Sequence, residues 1–83
     1  MYHLFENTAS IGRGKDVYIM LLDNKVSRYH AEISYKDGEY IFVDNQPSNP
    51  THINDEIYSS PHVIRDNDEF IIGETRIVFK RVQ

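Results

Sequence analysis

The stretch AEISYKDGEYIFV, residues 31–43, carries the pattern that decides the fold. Apolar residues occupy every second position over 31–35, which is typical of a strand with one buried face. Residues 40–43 are apolar throughout. Between these runs, Asp37-Gly38 supplies the positive-φ residues that a two-residue hairpin turn requires. The stretch therefore predicts two antiparallel strands joined by a tight turn.

Other segments of the chain have the same strand-like composition. Gly73-Glu74 predicts a second tight turn of the same kind. No segment of ten or more residues has the apolar stripe of a helix, and β-branched and aromatic residues dominate the apolar set. We therefore expect an all-β, antiparallel β-sandwich of many short strands. The further candidate strands are Tyr2 to Phe5, Val17 to Leu22, Phe70 to Ile72 and Arg76 to Lys80.

Length and composition indicate one small module. With 83 residues, we expect a single domain over 1–83, of the kind that can be excised from a longer protein. The chain has no cysteine, and its four histidines lack metal-ligand spacing, so we expect no metal and no cofactor. No apolar run approaches the roughly 20 residues of a spanning helix, and the start MYHLFEN lacks the features of a signal peptide. We expect a cytoplasmic protein that does not insert into membranes.

The charge distribution bears on the partner. The formal net charge is −4, which argues against a general nucleic-acid binder. Residues 12–28 nevertheless hold four basic side chains against two acidic ones. Three polar loops, over 12–16, 23–29 and 45–55, lie between the predicted strands, and loops on a rigid sheet often hold binding groups.

Four short blocks in these loops resemble the forkhead-associated (FHA) domain in order and spacing. The resemblance covers residues 9–81, and it implies a β-sandwich of about eleven strands whose loops at one end bind phosphothreonine peptides. The blocks are Ile11-Gly12-Arg13, Ser27-Arg28-Tyr29-His30, Ser48-Asn49-x-Thr51-x-x-Asn54, and Asp66-Asn67-Asp68 leading into Ile72-Gly73.

The resemblance implies a role for the first two blocks. Arg13 and Ser27 stand where the family contacts the phosphate, and Arg28 helps to hold it. Gly12 and His30 support the site. The residue types suit a phosphothreonine, which carries roughly −1.5 to −2 charges and three acceptor oxygens. We expect the partner to be a phosphothreonine-containing protein or peptide, bound by a module of a larger polypeptide with a kinase, regulatory or secretion role.

The resemblance also implies contacts to the peptide around the phosphate. Ser48 and Asn49 stand where the family contacts the phosphorylated residue and the peptide backbone. Lys25, two residues before the serine, stands where some family members meet an acidic side chain three residues after the phosphothreonine. Two family glycines are replaced, by Pro50 and Asp55. Proline fixes φ and displaces its neighbour toward an extended conformation, and aspartate removes positive-φ freedom.

Two alternatives to the phosphopeptide hypothesis remain open. The first, which the glycine replacements leave open, is a divergent FHA fold that acts as a phosphate-independent docking or assembly module. Ser27, His30 and Asp44 are also the residue types of a nucleophile, a base and an orienting acid. The chain lacks a Gly-x-Ser-x-Gly nucleophile elbow, so we do not expect an enzyme.

Overall fold

A computed structural model describes residues 8–45, 49–59 and 61–80. Over these ranges the chain forms nine β-strands and no helix, and hence no helix long and apolar enough to cross a membrane. The strands are β1 (Thr8–Gly12), β2 (Ile19–Met20), β3 (Ala31–Lys36), β4 (Glu39–Asp44), β5 (His52–Ile53), β6 (Glu56–Ile57), β7 (His62–Val63), β8 (Glu69–Ile72) and β9 (Thr75–Val78).

The strands form two sheets, as the sequence predicted. One sheet has the order β2-β1-β3-β4-β7, and the other has the order β6-β5-β8-β9. The prediction of uniformly antiparallel pairing is wrong at one place, because β1 and β2 pair in parallel, with Ile11 opposite Ile19. The pairing covers only two positions in each strand. The loop over 13–18 therefore only has to bring the chain back far enough for β2 to run beside the end of β1 in the same direction. The other strand pairs of the described residues are antiparallel.

The hairpin predicted over 31–43 is confirmed. Lys36 lies opposite Glu39, which leaves a two-residue turn. Asp37 and Gly38 have φ values of 54° and 82°, so both occupy the left-handed region that a type I′ turn requires. At Gly73 the positive φ of 63° confirms the second predicted turn, between β8 and β9.

Other strand limits differ from the prediction. The segment predicted over 17–22 contains only the short β2, and Leu22 is 87% exposed. The last predicted strand begins and ends earlier than expected, at Thr75 and Val78. Beyond it, the backbone of Phe79 exchanges hydrogen bonds with Asn67 and Asp68 in the loop before β8. The strand predicted over 2–5 lies outside the described residues.

The core lies between the two sheets. Phe42 of β4 meets Phe70 of β8 across the interior, with ring centroids 4.7 Å apart. Val26 joins this core although it belongs to the polar loop over 23–29. The polar loop therefore contributes one side chain to the core. The buried cluster comprises Ile11, Ile19, Val26, Ala31, Ile33, Phe42, Ile53, Ile64, Phe70 and Ile72.

The turn between β5 and β6 corrects one expectation. Asn54 and Asp55 have φ values of 49° and 72°, so Asp55 adopts the left-handed conformation without being glycine. Aspartate and asparagine enter this region more readily than other side chains. A contact outside the turn also holds it, because the side-chain amide of Asn54 donates to the Asp68 carboxylate over 2.9 Å. The replacement of the family glycine leaves a tight two-residue turn in place.

Substitutions at Asp55 test this conformation. Because glycine reaches positive φ without strain, Asp55→Gly should unfold with a free energy about 1 kcal/mol higher than Asp55→Ala. Chemical denaturation of the two variants gives the difference. The same pair at Glu56, where φ is not positive, should show the opposite order. Equal stability of the two variants at position 55 would contradict the assignment.

Candidate functional site

Two polar loops meet backbone to backbone at one end of the sandwich. The Arg13 amide donates to the Ser27 carbonyl over 3.0 Å, and the Gly14 amide donates to the Arg28 carbonyl over 3.1 Å. We call residues 12–16 and 23–29 together the rim. The rim brings together the three residues that the sequence proposed for phosphate binding, although the loops are separated along the chain.

Gly12 permits this close approach. A Cβ atom placed on Gly12 would lie 2.1 Å from the Arg28 carbonyl oxygen and 2.7 Å from its carbonyl carbon. Both neighbours are backbone atoms, so they cannot rotate away as a side chain can. The glycine is required here by space, since its φ is not in the left-handed region.

The side chain of Arg13 lies along the rim and is exposed. Its Nε donates to the Val26 carbonyl over 3.1 Å. Among residues 8–45, 49–59 and 61–80, no other partner takes the guanidinium, so its two Nη groups keep their donor capacity. Val26 is itself buried in the core, and the arginine is therefore anchored near its head. The two Nη groups are therefore a planar pair of donors, and the hydrogen bond of Nε to Val26 limits their position.

Ser27 has its backbone groups occupied and its hydroxyl available. The Ser27 amide donates to Nδ1 of His30 over 3.2 Å, and its carbonyl accepts from Arg13. No described residue forms a hydrogen bond with the Ser27 hydroxyl. Serine hydroxyls often cap their own turn, but here a histidine ring holds the turn. Arg28, the next residue, is exposed.

His30 supports the rim from below. The ring is fully buried, with 0% exposure, and Nδ1 accepts the Ser27 amide proton. An accepting Nδ1 places the ring proton of the neutral imidazole on Nε2. Burial lowers the pKa of His30, and the nearby carboxylates of Asp44 and Asp23 oppose this only partly. His30 is therefore neutral at pH 7, and Nε2 has no hydrogen-bond partner among the described residues.

The contacts do not form the relay of a serine hydrolase. His30 receives the backbone amide of Ser27 and not its hydroxyl. Asp44 is engaged elsewhere, because one of its oxygens accepts the Thr51 amide over 2.9 Å and the other accepts the Thr51 hydroxyl over 2.6 Å. Asp44 thus ties the end of β4 to the segment that follows Pro50.

Asn49 lies at the rim despite the proline that follows it. Its side-chain amide donates to the Lys25 carbonyl over 3.1 Å. Just beyond Pro50, the contacts of Thr51 to Asp44 fix the chain. Ser48, the other predicted peptide contact, lies outside the described residues.

Asp23 connects the rim to the turn between β8 and β9. One carboxylate oxygen accepts the Lys25 amide over 2.9 Å. The other accepts the Glu74 amide over 2.7 Å and the Thr75 hydroxyl over 2.8 Å. These hydrogen bonds, led by the one from Lys25, lower the pKa of Asp23 below its ordinary value of 3.8. Sequence reasoning missed this residue, although an aspartate two residues before an amide is a common turn signal.

Metal binding has no support in the described ranges, where no three histidine, aspartate or glutamate side chains are grouped as a metal site requires. The rim instead offers a guanidinium, a hydroxyl and a second arginine, which suits an oxyanion.

Comparison with known proteins identifies the family. The sequence pattern of the FHA domain matches residues 9–73. This chain belongs to the FHA domain family. The chain is 42% identical over 76 residues to the glycogen accumulation regulator GarA of Mycolicibacterium smegmatis, and the match covers 92% of this chain and 48% of that protein. It spans about half the length of the curated relatives it matches.

Solved FHA domains share the architecture. One, studied for phosphothreonine-dependent interactions, superposes with a TM-score of 0.92 at 29% identity, covering 99% of this chain and 84% of that one. Mycobacterium tuberculosis EmbR, solved in complex with a low-affinity phosphopeptide, gives a TM-score of 0.89 at 31% identity, covering 93% of this chain and 20% of that one. The relationship therefore holds in both sequence and fold.

A methyl group at position 12 tests the contact between the loops of this FHA domain. Gly12→Ala should lower the free energy of unfolding by about 1–3 kcal/mol, because the backbone of Arg28 must move to admit it. Gly14→Ala is the matched control, since its Cβ would lie 3.1 Å from the same oxygen. Chemical denaturation compares the two. Equal losses in the two variants would contradict the proposed spatial requirement.

The lowered pKa of Asp23 predicts a pH dependence. A carboxylate with a lowered folded-state pKa stabilises the fold above its ordinary pKa, and this contribution is lost as pH falls through the folded value. Asp23→Asn should therefore lower the melting temperature at neutral pH, and the difference from the parent should shrink as the pH falls below the ordinary pKa of 3.8 and through the lowered folded-state value. Asp16→Asn removes the same charge from an exposed position and serves as control. A difference that stays constant with pH would contradict this role.

Proposed function

We propose that this FHA domain binds a phosphothreonine-containing segment of a partner protein at the rim. The observation that carries the proposal is the position of Arg13 and Ser27. Hydrogen bonds between their backbones hold the two residues together, while the Nη groups of one and the hydroxyl of the other have no partner among the described residues. The phosphothreonine dependence of a structurally similar FHA domain supports the choice of ligand.

The residues at the rim match the chemistry of a phosphate dianion. Arg13 donates to two phosphate oxygens as a planar pair, Ser27 donates one hydroxyl proton, and Arg28 adds a second positive charge. Each charge-assisted hydrogen bond contributes about 1.5–3 kcal/mol. Association and side-chain ordering offset several kcal/mol of this sum, so a micromolar dissociation constant, roughly −8 kcal/mol, is expected. Such affinity suits a contact that a kinase switches on and a phosphatase reverses.

Neighbouring residues have supporting parts in the proposal. Gly12 permits the approach of the two loops, and His30 holds the Ser27 amide so that the hydroxyl faces the ligand. In this proposal Asn49 contacts the peptide backbone through its side-chain amide, and Ser48 precedes it in the chain. Lys25 supplies a positive charge beside the peptide. None of these parts requires a metal or a cofactor.

The proposal describes a regulatory binding module and not an enzyme. The proposed role is binding. His30 accepts the backbone amide of Ser27, and Asp44 accepts from Thr51, so these three residues do not form a catalytic relay. We further propose that residues 1–83 act as a single FHA module of a larger regulatory polypeptide. Its place is the cytoplasm, where protein kinases and their ATP are found. The name of its relative GarA, a regulator, is consistent with this role.

A peptide titration tests the proposal. Fluorescence anisotropy should show binding to members of a phosphothreonine peptide library and much weaker binding to the unphosphorylated peptides. Phosphoserine versions should bind less well than phosphothreonine versions. Arg13→Ala should weaken phosphopeptide binding by at least about tenfold, since it removes a charge-assisted contact.

The control is Arg65→Ala, which removes an exposed arginine from the loop between β7 and β8. This variant should bind phosphopeptides as the parent does. Binding that is equal with and without phosphate would replace the proposal with phosphate-independent docking. Complete absence of binding to the library would also overturn it.

A further inference from the structure

The turn between β8 and β9 forms part of the binding end, although it contributes nothing to the motifs of the first two blocks. A Cβ on Gly73 would lie 2.8 Å from Cγ2 of Val26 and 2.9 Å from Oδ2 of Asp23. The turn is thus packed directly on the loop that carries Ser27. Glu74, the residue at its tip, is exposed beside that loop.

Asp23 fixes the relative position of two oppositely charged residues. Its carboxylate accepts the backbone amides of both Lys25 and Glu74. The Asp23 carboxylate therefore holds the backbones of Lys25 and Glu74 close to each other. Lys25 Nζ lies 3.7 Å from Glu74 Oε1, and the side chains are 61% and 72% exposed. An ion pair this exposed is weak, so a ligand charge can compete with it.

A second hydrogen bond holds the backbone of Lys25 at its carbonyl group. Its carbonyl accepts the Asn49 side-chain amide, so the backbone of Lys25 is bound on both sides of the residue. The backbone cannot swing the ammonium group away from Glu74 without breaking these hydrogen bonds. The folded rim therefore keeps Lys25 and Glu74 adjacent, and their exposed side chains form the ion pair.

We propose that Glu74 determines the flanking-residue specificity of this FHA domain by competing with acidic peptide side chains for Lys25. The inference rests on the proposed phosphopeptide function and assigns a residue outside the motif blocks. With Glu74 in place, Lys25 already has an ion-pair partner, and an acidic residue beside the phosphothreonine must compete with Glu74 for it. The carboxylate of Asp23 lies within the same cluster, so the local charge of the three side chains is −1.

The experiment measures the preference for glutamate over glutamine in the peptide. A phosphothreonine peptide bound by the parent protein is synthesised with Glu or with Gln at each flanking position in turn. In Glu74→Gln, the Glu peptide should bind about two- to fivefold more tightly than the Gln peptide at the position facing Lys25, as for an exposed ion pair. The parent should show little preference. The gain should diminish at high salt.

Two further variants make the result specific. Lys25→Gln combined with Glu74→Gln should lose the gain, because the cation that the peptide meets is gone. Glu39→Gln removes the same charge beside the β3–β4 turn, at the end of this hairpin away from the rim. This variant should leave the parent preference unchanged. A gain in the Glu39 variant, or its persistence without Lys25, would overturn the specific pairing.

The outcomes separate this inference from the proposed function. If the parent binds phosphopeptides and Glu74→Gln changes no flanking preference, the inference on Glu74 is wrong and the function stands. If the parent binds no phosphopeptide, both are wrong. If the preference appears in Glu74→Gln alone and requires Lys25, the inference is supported.

Discussion

The proposed binding end depends on the close approach of two loop backbones, at residues 12–14 and 27–28. Gly12 comes so close to the Arg28 carbonyl that any side chain there would overlap it. Hydrogen bonds from Arg13 and Gly14 to Ser27 and Arg28 then join the loops. Because these contacts use main-chain atoms, they leave the side-chain donors free to face outward. The arrangement joins two separate loops into one surface that carries Arg13, Ser27 and Arg28.

Below this surface, the loop is tied to the interior by both apolar and polar contacts. Val26 lies in the core, and the His30 ring beneath it is fully buried. A buried histidine is costly when charged, and a neutral ring can accept the Ser27 amide proton. Burial therefore keeps His30 in the protonation state that holds the rim. The same loop is tied at its outer edge by Asp23, which joins it to the second sheet.

Local patterns were sufficient for the elements that depend on local forces. The alternation over 31–35 and the turn at 37–38 predicted the central hairpin, because period and turn chemistry are both local. The parallel pairing of β1 with β2 was missed, since composition does not report strand direction. At Asp55 the rule that glycine serves positive φ was applied too strictly, because aspartate also adopts this conformation.

The candidate site was predictable to a similar degree. The order of the motif blocks indicated Arg13 and Ser27 as neighbours, and the structure places them together. The order of the blocks did not indicate Asp23, whose partners Glu74 and Thr75 lie 51 and 52 residues away along the chain. Contacts at such separation follow from how the sheets pack, and a single sequence contains no local signal for them.

The burial of Val26 has a thermodynamic consequence for recognition. Opening the loop would expose a core side chain, so the proposed phosphopeptide surface unfolds with the body of the domain and not as an independent flap. A surface that is ordered before its ligand arrives loses little conformational entropy on binding. Complex lifetime is then governed by the strength of the contacts themselves, and brief encounters need no slow rearrangement of the protein.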